Sequence, residues 1–325
     1  MTWRRAARTV MYLMVGAFLG YELWHSRHGL VTSVRAIGPV RALLAGLLAG
    51  VGGVPGLFGW RLLLSGLGTD LPLPVALRVY FLAGLTRYLP GGVWPMMAHA
   101  AAGRALRVPP ARLAAAFLAS QGLAVVAGLV VGLLALPRLV AANPWWWVLL
   151  PALLAVLVPL ARPGLLGRLL GLGQRLVHRG GAPVHLPGPG VLLRATALMA
   201  LGWLISGAHI AVLAMALGAA PTAALTIGIG GFALSVVAGV LTLVMPSGLG
   251  AREVVLGVTL ATILTGPALV AVVALSRVLI TVVDMASTAG VLAVLTVREQ
   301  TVRRRAGADA AALVPPEALP EGSRK

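Results

Sequence analysis

Five charged side chains stand inside otherwise apolar sequence: Arg87 in "RYLPGGVWP", Arg252 and Glu253 in "LVMPSGLGAREVVLG", and Arg277 and Asp284 in "ALSRVLITVVD". An ionised group in hydrocarbon is expensive, so such residues pair with one another or mark the path of a ligand or ion. The guanidiniums can hold phosphate or carboxylate through charge-assisted, forked hydrogen bonds. The acids can balance that charge or carry a coupling proton or cation.

The backbone around these charges is interrupted twice in the same way. Pro246 ends a helix, Ser247, Gly248 and Gly250 permit a turn, and a new helix starts whose free amides and positive dipole end suit an anion. Arg252 in that first turn gains nothing from the dipole, whereas Glu253 is favoured by it. The other segment repeats the grammar with Arg87, a stop at Pro90, the flexible Gly91 and Gly92, and a restart at Trp94 and Pro95. Unpaired amides and carbonyls cannot face lipid, so both breaks belong inside the protein or beside a wet cavity. The candidate substrate-binding residues are therefore Arg87, Pro90, Gly91, Gly92, Trp94, Pro246, Ser247, Gly248, Gly250, Arg252 and Glu253. Arg277 and Asp284, two turns apart on one helix face, are candidate coupling or structural charges. Blander readings stand beside these: Arg252 with Glu253 as an interfacial ion pair, Arg87 with Trp94 as interface anchors, and Arg277 with Asp284 as a brace.

Other chemistries lack their residues. Cysteine is absent, which removes disulfides, iron–sulfur clusters and thiol catalysis. Neither H-E-x-x-H nor G-x-S-x-G occurs, and the histidines are scattered. Ser206 and His209 lie one helical turn apart, as in a hydrolase pair, but no glycine stands two residues before Ser206. The expectation is no catalytic residue, no metal, no cofactor and no enzymatic activity.

The elements that position these residues follow from composition. The chain is 59% hydrophobic and 10% charged, with a mean hydropathy of +0.96, outside the range of soluble domains. Apolar runs of about 20 residues, the length that crosses the bilayer, recur along it. The expected fold is an all-α polytopic bundle with long spans near 9–25, 41–62, 73–89, 113–137, 145–161, 191–216, 222–245 and 267–297, plus the two broken segments. These make one transmembrane domain over 1–297, followed by a polar, proline-containing tail over 298–325 that reads as disordered. The first run lacks a small-residue cleavage site after its apolar centre and reads as a retained span. "NPWWW" at 143–147 reads as an interfacial aromatic belt, and Ser120 and Gln121 as interhelical hydrogen-bonding groups.

The net charge of +18 sits in short loops and the tail, which points to topology control and anionic lipid rather than to nucleic acid. If the broken segments do not cross, the loops holding Arg104, Arg107 and Arg112 and Arg162 to Arg179 fall outside, against the positive-inside tendency. If both cross, those loops turn inside with the termini. The second arrangement is preferred, which makes this a multi-pass cell-membrane protein with cytoplasmic termini. It also sets the two breaks facing each other in an inverted sense, as at transporter sites near the bilayer midplane.

These segments resemble the lysylphosphatidylglycerol synthase transmembrane-region family, which includes the flippase part of the multiple peptide resistance factor. The first is similar to its K/R-Y-L/I-P-G-x-V-W signature at Arg87, Tyr88, Leu89, Pro90, Gly91, Val93 and Trp94. The second is similar to its P-G-G-L-G-x-R-E signature at Pro246, Gly248, Leu249, Gly250, Arg252 and Glu253, with Ser247 in place of the usual glycine. The resemblance implies the membrane part alone, since the chain has no room for the soluble aminoacyl-transferring domain. Its implied function is binding or translocation of an anionic or polyprenyl-linked lipid headgroup in a cavity framed by the breaks. The alternative is a non-transporting scaffold for a membrane enzyme of lipid or envelope-glycan chemistry.

Overall fold

The computed structural model describes residues 27–89, 92–151, 154–155, 187–242 and 248–312. The expected span at 9–25, most of that at 145–161, the arginines from Arg162 to Arg179, and Pro90, Gly91, Pro246 and Ser247 lie outside these residues. Among the described residues all regular structure is helical: α1 (Arg27–Val51), α2 (Gly53–Gly66), α3 (Leu73–Leu85), α4 (Trp94–Ala105), α5 (Pro110–Gly132), α6 (Leu136–Ala142), α7 (Pro189–Ala216), α8 (Pro221–Leu241), α9 (Ala251–Leu260) and α10 (Gly266–Ala312). Two 3-10 turns, Thr86–Tyr88 and Pro144–Val148, join this order after α3 and α6. Among the described residues five stretches are long and apolar enough to cross a membrane: Val31–Gly66, Pro110–Gly132, Pro189–Ala216, Pro221–Leu241 and Gly266–Thr301. The protein is an all-α, multi-pass membrane protein.

Helix starts follow from proline. It occupies one of the first two positions of α3, α4, α5, α7 and α8, where its fixed φ suits the helix and its missing N–H has no partner to lose. Departures from the sequence expectation have equally local causes. The run at 41–62 belongs to two helices that meet at Gly52, and α1 is itself kinked at Gly38 (φ 71°, ψ 163°), ahead of Pro39. The run at 73–89 is a helix of 13 residues followed by a 3-10 turn. The tail begins as a continuation of α10 to Ala312, consistent with its alanines, arginines and glutamate.

Lipid is as apolar as leucine, so close packing rather than hydrophobic burial holds such helices together. α7 is the hub, in contact with α1, α2, α5 and α8. Its approach to α8 is close enough that a Cβ on Gly228 would lie 2.8 Å from the Ala211 nitrogen. Ile210, Leu213, Ile227, Phe232 and Leu260 are enclosed in the resulting core.

The chain carries an internal repeat. α2–α3–break–α4–α5 and α7–α8–break–α9–α10 share one plan, with a left-handed glycine ending the leading helix in each, Gly68 (φ 77°) and Gly218 (φ 95°). From the breaks onward the second copy lies 156 residues after the first: Pro90 and Pro246, Gly92 and Gly248, Ser120 and Ser276, Gln121 and Arg277. The half-length helices after the breaks, α4 with 12 residues and α9 with 10, are about 18 and 15 Å long, roughly half the hydrocarbon thickness.

Candidate functional site

The first break begins where α3 tightens into the turn Thr86–Tyr88, with the Thr86 hydroxyl donating to the Ala83 carbonyl at 2.7 Å. That turn directs two side chains onto one carboxylate of α10. Arg87 Nη2 lies 2.6 Å from Asp284 Oδ1, and Tyr88 Oη donates to Asp284 Oδ2 at 2.5 Å. Both carboxylate oxygens are thereby engaged. Trp94 opens α4, with Gly92 exposed just before it.

The second break is built on left-handed backbone. Gly248 (φ 68°) and Gly250 (φ 89°) turn the chain back toward α8, and Gly248 lies so close to Gly239 that a Cβ there would overlap the Gly239 backbone. Gly250 N donates to Glu253 Oε2 at 2.6 Å, which caps α9 from within. Glu253 Oε1 lies 3.3 Å from Arg277 Nη1. One of the amides that the sequence offered to an anion is therefore already taken by Glu253, because its side chain can reach back one turn to it.

Arg252 stands differently. It is 8% exposed, its guanidinium carbon sits 5.1 Å from the centroid of the Phe232 ring, and Nη2 is buried without a hydrogen bond. Phe232 in turn receives His209 edge-on, with centroids 4.8 Å apart. His209 donates from Nδ1 to the Ser206 main-chain carbonyl, leaving Nε2 to accept from the Ser276 hydroxyl at 2.8 Å. Ser276 adjoins Arg277, so the layer beneath Arg252 also fixes the neighbouring cation.

No protein-family model and no curated protein matches this chain. Its chemistry has to come from the geometry.

α10 joins the two breaks. Arg277 and Asp284 stand about 10 Å apart along its axis, near the middle of its apolar run, each facing a different break. They do not brace each other; each pairs with a charge from a broken segment. Glu253 likewise turns to Arg277 rather than to its neighbour Arg252. The five charges thus form two opposite-sign pairs plus Arg252, a net of one positive charge. A cation over an aromatic face gains about 2 kcal/mol when desolvated, less than the several kcal/mol that burying an isolated charge costs. Among the described residues Phe232 alone leaves Arg252 in deficit, and an anion is the chemistry that would close it.

The hydrolase pairing that the sequence had set aside is not formed, and the reading of Ser120 as an interhelical group is corrected. Ser206 does not present its hydroxyl to His209: that hydroxyl donates to the Ala49 carbonyl at 3.3 Å, and His209 takes the Ser206 carbonyl instead. Ser120 donates to Phe117 one turn back in its own helix, so its hydroxyl is satisfied without a neighbour. Phe232 and Ser276 escaped the sequence reading, while Tyr88 entered it only as a member of the signature and His209 only as a neighbour of Ser206. The repeat would have flagged Ser276 through its counterpart Ser120, but nothing in the sequence joins Phe232 or His209 to Arg252.

Proposed function

We propose that this protein is a flippase-like transporter that binds an anionic or polyprenyl-linked lipid headgroup at the second break and passes it across the membrane. The observation that carries this reading is Arg252, a membrane-buried guanidinium with an unpartnered Nη2 and only an aromatic face beneath it. Phosphate suits it, because a forked guanidinium gives charge-assisted bonds in two directions. Arg277 and Glu253 hold the next shell of charge, and Arg87 with Asp284 ties the first break to the same helix. The reading involves no chemical conversion of the lipid and no cofactor.

Sealed vesicles containing the purified protein and labelled anionic lipid test this. Headgroup accessibility from outside is followed in time, with the lipid assayed chemically afterwards. Translocation of intact lipid is expected for the wild type, and a loss of about 100-fold for Arg252→Ala, the scale of removing a charged donor from a buried site. Glu253→Ala is expected to impair it as well, through Arg277. Wild-type rates in both folded variants sink the assignment of roles. An inactive wild type across several lipid classes points instead to a scaffold whose activity belongs to a partner enzyme.

A further inference from the structure

A second feature lies away from the charged site, on the seam between α3, α4 and α10. A groove of about 400 Å³ runs there. One wall is α3 from Pro74 to Ala83, and another is the small-residue face Ala98, Ala102 and Ala105 of α4. Leu295 and Glu299 of α10 close it. Along α3 the groove is about 14 Å long, close to the depth of one leaflet of a bilayer with about 30 Å of hydrocarbon. Its inner end stops one turn short of Arg87.

Its outer end is charged. Arg78 lines it and pairs with Glu299 at 3.3 Å. Arg104 and Arg107 flank the lining residues Ala105 and Leu106, and Arg298 precedes Glu299. Among the lining residues the charge is Arg78 against Glu299, and three further exposed arginines, Arg104, Arg107 and Arg298, adjoin lining residues in sequence. Arg112, close by in sequence, is different: it donates to the Gly68 carbonyl at 2.8 Å and serves the fold. Arg107 is also the only non-glycine with a positive φ (56°) among the described residues. It ends α4 in a conformation that favours glycine, so the position keeps a cation where backbone preference alone would not put one.

We infer that this groove seats one acyl chain of an anionic phospholipid whose phosphate is held at the rim by Arg104 and Arg107, with Arg78 and Arg298 adding to the field. Tail and head are matched at once: an apolar channel one leaflet deep, with a cationic mouth at the surface end. A zwitterionic lipid fits the channel but gains nothing from the rim's surplus charge. The inference rests on the membrane reading of the fold and not on transport.

The test uses the full chain in phosphatidylcholine nanodiscs that contain a minor fraction of phosphatidylglycerol with a photoactivatable acyl chain. Irradiation is expected to label the α4 peptide, with a preference over photoactivatable phosphatidylcholine of about fivefold per rim arginine engaged. Arg104→Gln with Arg107→Gln is expected to bring the two lipids to near parity. Ala102→Trp is expected to remove the α4 label for both, and Arg252→Met to leave every value unchanged. Equal labelling by both lipids in the wild type, or a preference that survives loss of both arginines, overturns the inference. So does loss of the label in Arg252→Met, which would put the lipid at the central site. If Ala102→Trp does not fold, the wild type and the arginine variants still decide.

Discussion

At the first break Arg87 meets Asp284 at 2.6 Å while Tyr88 engages the other carboxylate oxygen. At the second, Arg252 lies over Phe232 with a buried nitrogen unpartnered, and the adjacent acid is turned away to Arg277 and to the backbone of Gly250. The same repeat unit therefore carries a neutralised arginine in one copy and a net positive charge in the other. Positions matched by the repeat show the divergence: Met96 and Met97 stand where Arg252 and Glu253 stand, and Gln121 where Arg277 stands. The difference separates a brace from a binding group, and each of the following experiments is aimed at it.

The largest effect is expected at Asp284. Asp284→Ala leaves the half-exposed Arg87 and the part-buried Tyr88 without their acceptor, and losing two bonds to a charged group costs about 3 kcal/mol. Thermal unfolding in detergent should show a large fall in Tm. Arg252→Met should do the opposite, leaving Tm unchanged or raising it, since an unpaired buried charge is replaced by an apolar chain of similar length. Equal losses in both variants would erase the distinction between the breaks.

Gly248→Ala comes next. The left-handed φ and the overlap with Gly239 act together, and the expected loss is about 2–3 kcal/mol, at the upper part of the overpacking range. Gly92→Ala, at the matching place in the first break, is an exposed position and should cost less. Comparison of the two unfolding curves measures how far the breaks differ in backbone rather than in charge.

A double-mutant cycle sharpens the contrast further. Arg87→Gln with Asp284→Asn should give a coupling energy of about 1–3 kcal/mol, whereas Arg252→Gln with Glu253→Gln should give less than about 0.5 kcal/mol. Adjacent residues in sequence would then be nearly independent, and Arg87 and Asp284, 197 positions apart, strongly coupled.

Why the sequence revealed some of this and hid the rest is a matter of range. Proline and glycine act on the backbone within a turn of where they stand, so both breaks, the restart of α4 and the apolar runs behind the long helices were readable. The charged residues were readable as expensive. Their partners were not, because whether Glu253 meets Arg252 or Arg277 depends on how α10 is rotated against α9. That rotation is set by contacts such as Gly228 on Ala211 and Ser276 on His209, which leave no local trace. The kink at Gly38 was missed for the opposite reason, because mean hydropathy finds lipid-facing length and is insensitive to where a helix bends.

The smallest effect tests the layer beneath the second break. Ser276→Ala removes the donor to His209 Nε2, and interhelical side-chain hydrogen bonds in membrane bundles average about 0.6 kcal/mol, so Tm should move only slightly. Its consequence for the site should exceed that number. His209 edges Phe232, Phe232 carries Arg252, and Ser276 sits one residue from Arg277, so loosening this bond frees both cations of the second break together. Lipid translocation should fall several-fold in Ser276→Ala while Arg87 and Asp284, seven or more residues away from this bond on α10 or in the other break, keep their coupling energy. Ser276→Thr, which retains the hydroxyl, should restore the rate. A Ser276→Ala variant with wild-type translocation would reduce His209 and Phe232 to packing and leave Arg252 positioned by α9 alone.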